Sequence, residues 1–128
     1  MEAIAKLIIT LMHAGTAAHV LHLQCKGVGS FARHKALDDF YKGIIDKADS
    51  IAETWQGRNR QIIVGYPDGY VNPPQDGSKE AVLEFLTALL AFVDETRVDV
   101  DQRSEIQNLI DEAASFIDDT IYFIEQLQ

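Results

Sequence analysis

The sequence predicts an all-α protein, a four-helix bundle with one long crossover between its second and third helices. Three observations predict this. Four segments repeat apolar residues every three or four positions, the period of a helix packed on one side. A single connection rich in proline and glycine divides them into two pairs. The 128 residues, 47% of them apolar, suit one core, so residues 1–128 are expected to form a single domain.

The first helix is expected from about Glu2 to Gln24, with Ile4, Leu7, Ile8, Leu11 and Met12 on one stripe. The second runs from about Ser30 to Gln56, where Phe31, Leu37, Phe40, Tyr41, Ile44, Ile45, Ala48, Ile51, Ala52 and Trp55 recur at helical spacing. Ser30 is its expected N-cap and Gly57 its stop. The third, roughly Lys79 to Thr96, is strongly apolar. The fourth, roughly Asp101 to Leu127, carries Ile106, Leu109, Ile110, Ala113, Phe116, Ile117, Ile121, Phe123, Ile124 and Leu127. Between the pairs lie residues 58–78, which hold all three prolines and must be irregular. Ile62, Ile63 and Val64 before "PDG", with Tyr70 and Val71 after it, offer a short hairpin. Four helices with the long link in the middle describe a ferritin-like bundle. An ordinary bundle of other connectivity is the alternative.

A formal net charge of −9, with no run of lysine or arginine, argues against binding nucleic-acid phosphates directly and favours small cations. Cys25 is the only cysteine, so neither an intramolecular disulfide nor a cysteine-built zinc site is possible. The N-terminal stretch lacks the layout of a signal peptide. No stretch is expected to reach the roughly 20 apolar residues of a membrane span. A cytoplasmic, membrane-free setting is the expectation.

Polar residues on the second helix form a pattern. His34 and Asp38 are one turn apart, as are Asp49 and Glu53, and eleven positions separate the pairs. At about 100° per residue all four fall within an arc of roughly 100°. At about 1.5 Å per residue the pairs stand roughly 16 Å apart, too far to hold one ion. Antiparallel pairing of this helix with its copy across a two-fold axis would bring the His34 and Asp38 end of one chain to the Asp49 and Glu53 end of the other. His22 can return beside His34 after the turn "HLQCKGVGSFARH". Two imidazoles and three carboxylates suit Fe(II), Mn(II) or Zn(II) better than Ca(II). The same spacing is also that of a solvated acidic face, and both readings stand on spacing alone.

These residues resemble the Dps family, the mini-ferritins. The matching features are His22, Lys26-Gly27, Phe31, His34, Asp38 and "DSIAE" from Asp49 to Glu53, at spacings of twelve, four, eleven and four. The ending "IDDTIYFIEQLQ" is similar to the family's as well. The resemblance implies a ferroxidase that stores iron. His22, His34 and Asp38 of one subunit, with Asp49 and Glu53 of the partner subunit, would bind Fe(II), which hydrogen peroxide would oxidise to a ferric mineral. It further implies two-fold dimers assembled into a dodecameric cage. The sequence departs from the family at Leu23, where the family usually has tryptophan. Its middle connection leaves little room for the family's short interface helix. It starts almost at the first helix, so the lysine-rich extension that binds DNA in some members is not expected. The alternative is a non-enzymatic ferritin-like protein, binding or structural, in a smaller oligomer.

Other residues have plainer readings. His13 and His19 are expected to be packed or at the surface, although His19 and His22 share a face. Cys25 reads as a half-buried filler and Trp55 as core. The loop "GYPDGY" with Tyr66 and Tyr70 reads as a surface turn, the alternative being a lid over a small molecule. There is no Walker-type phosphate loop, no nucleophile elbow and no Glu-x-x-His motif.

Overall fold

The computed structural model describes residues 1–69 and 72–127. Among them lie four α-helices, α1 (Glu2–Gln24), α2 (Ser30–Asn59), α3 (Lys79–Thr96) and α4 (Ser104–Gln126), with a 3-10 turn at Arg97–Asp99. The described residues contain no strand, so the fold is an all-α bundle. The hairpin expected around "PDG" does not form at 62–64. Ile63 is instead buried, with its N–H donated to the Gln56 Oε1 at 2.9 Å. Tyr70 and Val71 lie outside the described residues.

α1 is the most enclosed helix. Leu7, Ile8, Leu11, Ala14, Ala18 and Leu21 are fully buried. Gly15 lets α2 approach, since a Cβ there would stand 3.0 Å from Ile45 Cδ1. Contrary to the sequence expectation, α1 is long and apolar enough, by length and composition alone, to cross a membrane; 56% of that stretch is buried within the bundle. α2 contributes Leu37, Phe40, Ile44, Ala48, Ile51 and Trp55 to the core, and α4 contributes Ile106, Ile110, Ala113, Ile117 and Ile124. Phe40 and Phe116 stack at 5.5 Å between centroids. Each fully buried side chain of this size stabilises by about 1.5–3 kcal/mol.

Three apolar residues of the expected stripes are surface residues. Phe31 is 80% exposed because it lies in the first turn of α2, beyond the point where α1 ends. Phe123 and Leu127 are exposed at the end of α4, where Ile124 takes the core position.

The ends of the helices also differ from expectation. Gly29, not Ser30, is the N-cap of α2, at φ 78°, a left-handed conformation that suits glycine. α2 passes through Gly57 and ends at Asn59. Arg60 closes it at φ 51°, its N–H donated to the Gln56 carbonyl. Asn59 braces this last turn by donating its Nδ2 to the Trp55 carbonyl at 2.9 Å. α4 begins at Ser104 rather than Asp101, because the Asp101 carboxylate accepts the Arg103 N–H at 3.1 Å and holds that segment as a turn. α3 keeps its expected bounds. Its N-cap Ser78 accepts the Ala81 N–H at 3.2 Å.

The connection from α2 to α3 lies against α1. A Cβ on Gly69 would stand 2.6 Å from Ile9, and one on Gly77 would stand 2.6 Å from the Gln24 carbonyl oxygen. The start of α3 is thereby held at the α1–α2 turn. The end of α4 comes to the same place, where Lys79 Nζ donates to the Glu125 carbonyl at 3.1 Å.

Candidate functional site

The α1–α2 turn folds His22 back onto His34. Their rings stack at 3.7 Å between centroids. Each ring is tied to the other's backbone, with His22 Nδ1 2.9 Å from the His34 carbonyl and His34 Nδ1 2.9 Å from the His22 carbonyl. A carbonyl oxygen only accepts, so both Nδ1 atoms must carry the proton and donate. In a neutral imidazole that leaves the Nε2 lone pair for another partner. His22 is buried and His34 half-buried.

Arg33 fastens this turn to α3. It is 5% exposed, and its guanidinium donates to the Gly77 carbonyl at 3.0 Å and the Lys26 carbonyl at 3.2 Å. Cys25 is half-buried beside it, with its thiol donated to the Leu21 carbonyl at 3.4 Å. Burial pushes this thiol above its ordinary range against the pull of Arg33.

One turn beyond His34, Asp38 is held by its own helix. Lys42 Nζ bonds to its Oδ2 at 3.0 Å and Lys35 stands at 3.7 Å. The hydrogen bond from Lys42 is the main reason its carboxyl lies below the usual carboxylate range. The same bond lifts Lys42. Tyr41 is raised, first by burial and then by Asp38. Its ring lies flat on His19 at 4.0 Å and edge-on to His22 at 5.5 Å. His19 is thus a partner of Tyr41; its ring stands 5.9 Å from that of His22.

Of the five residues singled out in the sequence, the fold brings His22 and His34 together with Asp38 one turn on. Asp49 and Glu53 are exposed further down α2. Among the described residues, no three His, Cys, Asp or Glu side chains of the single chain gather as a metal site. The Asp38–Lys42 pair was readable as neighbours at i and i+4 on one helix face. Arg33 left no such signal, because its partner Gly77 is forty-four residues away. Leu23 and Phe31, 72% and 80% exposed, are the apolar surface next to the histidines. A groove of about 460 Å³ between α1, α3 and the connection is mostly apolar, with Phe85, Leu89 and Phe92 among its lining.

Fold and site together define an all-α bundle that presents a tautomer-locked histidine pair and an acidic helix face on one chain. The chain belongs to DUF5856, a family of unknown function, whose model matches residues 22–124. No curated protein matches it.

Proposed function

We propose that the protein is a Dps-like ferroxidase and iron-storage protein with Fe(II) and hydrogen peroxide as its substrates. His22, His34 and Asp38 make half of the site, and Asp49 and Glu53 of the partner subunit complete it. The observation that carries this reading is the reciprocal Nδ1–H bonding of His22 and His34 to backbone carbonyls. Metal-binding histidines are characteristically fixed in this way, the second nitrogen donating to a carbonyl while the first keeps its lone pair. The ionised Asp38 supplies charge beside them, and Lys42, largely exposed, is a partner that a divalent cation can displace.

In the full reaction two Fe(II) each give one electron to peroxide. The O–O bond breaks and, with two protons from solvent, two waters leave. Carboxylates stabilise the Fe(III) produced, and neutral imidazoles leave positions open for the oxidant. The ferritin-like connectivity is supported by two points of the link from α2 to α3, Gly69 against Ile9 and Gly77 against the α1–α2 turn. The exposed Leu23 and Phe31 beside the half-site are surface that a second copy would bury. The proposal includes two-fold dimers built into a dodecamer, acting in the cytoplasm without direct contact with nucleic acid or membrane.

A second reading, a non-enzymatic bundle of smaller oligomeric state, draws on the two lysines at Asp38 and on Leu23. One experiment separates the two. Fe(II) is loaded anaerobically, peroxide is added, and ferric absorbance is followed while native mass is measured on the same sample. The ferroxidase reading expects a mass near twelve subunits and oxidation faster than in buffer, lost in His34→Ala and Asp49→Ala. A dimer that leaves Fe(II) oxidation at the buffer rate supports the second reading.

A further inference from the structure

The four helices pack as a square, and the seam between α1 and α3 is the least closed of its sides. The stripe that α3 turns to this seam explains the opening, because Ala81 and Ala88 are too small to fill it and α1 contributes only Thr10 there. The result is the groove of about 460 Å³, with the nearly buried Phe85 and Leu89 among its apolar lining. Phe92 is shared with a second hollow of about 660 Å³, which Glu2, Lys6, Glu95 and Asp99 also line.

Charge stands only at the two ends of this tract. Among the described residues lining the groove, Glu84 is its single charged group, and it is exposed. Glu84 and Glu95 are eleven residues apart on α3, three turns to within about 20°, so they share one face roughly 16 Å apart along the axis. Ala88 and Phe92 lie between them on that face. Among the described residues none of Glu2, Glu84, Glu95 and Asp99 is in an ion pair. Lys6 is the one cation lining the second hollow, against three carboxylates. Its ammonium stands 5.8 Å from the Phe92 ring centroid, so that ring already serves as a platform for a cation.

We infer that this tract binds a linear aliphatic diamine, an ammonium at each end of a methylene chain. One ammonium pairs with Glu84, the other enters the acidic hollow at Glu95, and the methylenes between them cover Ala88 and Phe92. Charge, apolar stem and charge is the order of the ligand and of the groove. A fatty acid would bring its carboxylate to one lysine among three like charges. An uncharged apolar ligand would strip water from Glu84 without offering it a partner. The inference uses none of the five residues of the iron site and stands or falls apart from that reading.

The test is calorimetric titration of the intact protein at low ionic strength with octamethylenediamine, compared with octylamine, octanoate and putrescine. The expected result is one saturable site per chain for octamethylenediamine, weaker binding of octylamine, which lacks one end, and of putrescine, which lacks the span, and no binding of octanoate. Added salt should weaken the complex, since both ion pairs are exposed. Glu84→Gln and Glu95→Gln should each weaken it about two- to fivefold, and Lys6→Gln, which removes the competing cation, should tighten it. An acidic protein attracts any dication, so Ala88→Phe is the decisive variant. It keeps every charge, fills the groove from an exposed position and should abolish the site at an unchanged unfolding temperature. Octamethylenediamine that finds no saturable site, or binds folded Ala88→Phe as tightly as wild type, overturns the inference. So does octylamine or octanoate binding equally well. Should Ala88→Phe fail to fold, undiminished affinity in both glutamine variants of Glu84 and Glu95 overturns it as well.

Discussion

The two ends of the bundle are both fastened by arginines, and they differ in what the fastening leaves over. At the end where α2 finishes and α4 begins, polar groups close on one another. Arg103 binds the Asp101 carboxylate and the Asn59 Oδ1, and Arg97 binds the Gln107 side chain and carbonyl as well as Asp111. At the α1–α2 turn the groups are tied mainly to backbone carbonyls. Arg33 holds Gly77 and Lys26, while His22 and His34 hold each other. A side chain tied to a carbonyl through one nitrogen keeps the chemistry of its other atoms. The first end is therefore a structural clamp, whereas the second is a clamp with two nitrogen lone pairs to spare.

That contrast breaks most sharply at the histidines. If the proposed site is correct, His22→Ala should bring Fe(II) oxidation down to the buffer rate, measured by ferric absorbance, because it removes one proposed ligand and the ring stacked on the other. Arg33→Met should come next. It leaves the Gly77 and Lys26 carbonyls without their buried donor and should cost about 2–3 kcal/mol in chemical denaturation. Gly77→Ala should cost about 1–3 kcal/mol, since its Cβ meets rigid backbone at Gln24 and α3 must move away from the turn.

At the opposite end, Asp101→Asn should cost about 1–2 kcal/mol at neutral pH and leave iron oxidation unchanged. Arg103 holds the Asp101 carboxyl well below its ordinary range in the folded state. Its contribution is therefore complete above the unfolded value near pH 4 and is lost as pH falls toward the lower folded value. Urea midpoints for wild type and variant should converge over that acid range. The smallest effect belongs to Lys42→Met. Removing the ammonium should shift the Asp38 titration, followed by nuclear magnetic resonance, upward toward the usual carboxylate range, with little change in stability.

The helices were legible because a core that closes on one side of each of them leaves a period in the chain. Leu37, Phe40, Ile44, Ala48, Ile51 and Trp55 carry that period and are all buried. Helix ends were less legible. Gly57 signals a stop, yet the helix runs on because Asn59 donates back to the Trp55 carbonyl and Gln56 accepts the Ile63 N–H beyond the helix end. Phe31 and Phe123 have apolar character and the right spacing but lie where no helix faces them. For the site, spacing proposed the return of His22 to His34, and the helix face proposed Asp38. Spacing carried no information about the tautomer of either ring, the lysine that competes for Asp38, or the stack on Tyr41.

By itself the sequence determined four helices, the link between the second and the third, and a stripe of His34, Asp38, Asp49 and Glu53 down one of them. Local periodicity fixes these, because neighbours on a helix are set by counting residues. Only the tertiary structure decided that Arg33 reaches Gly77, that Tyr41 lies flat on His19 and edge-on to His22, and that both imidazoles donate through Nδ1. Those contacts depend on how far one helix slides and turns against another, which the packing of whole surfaces settles.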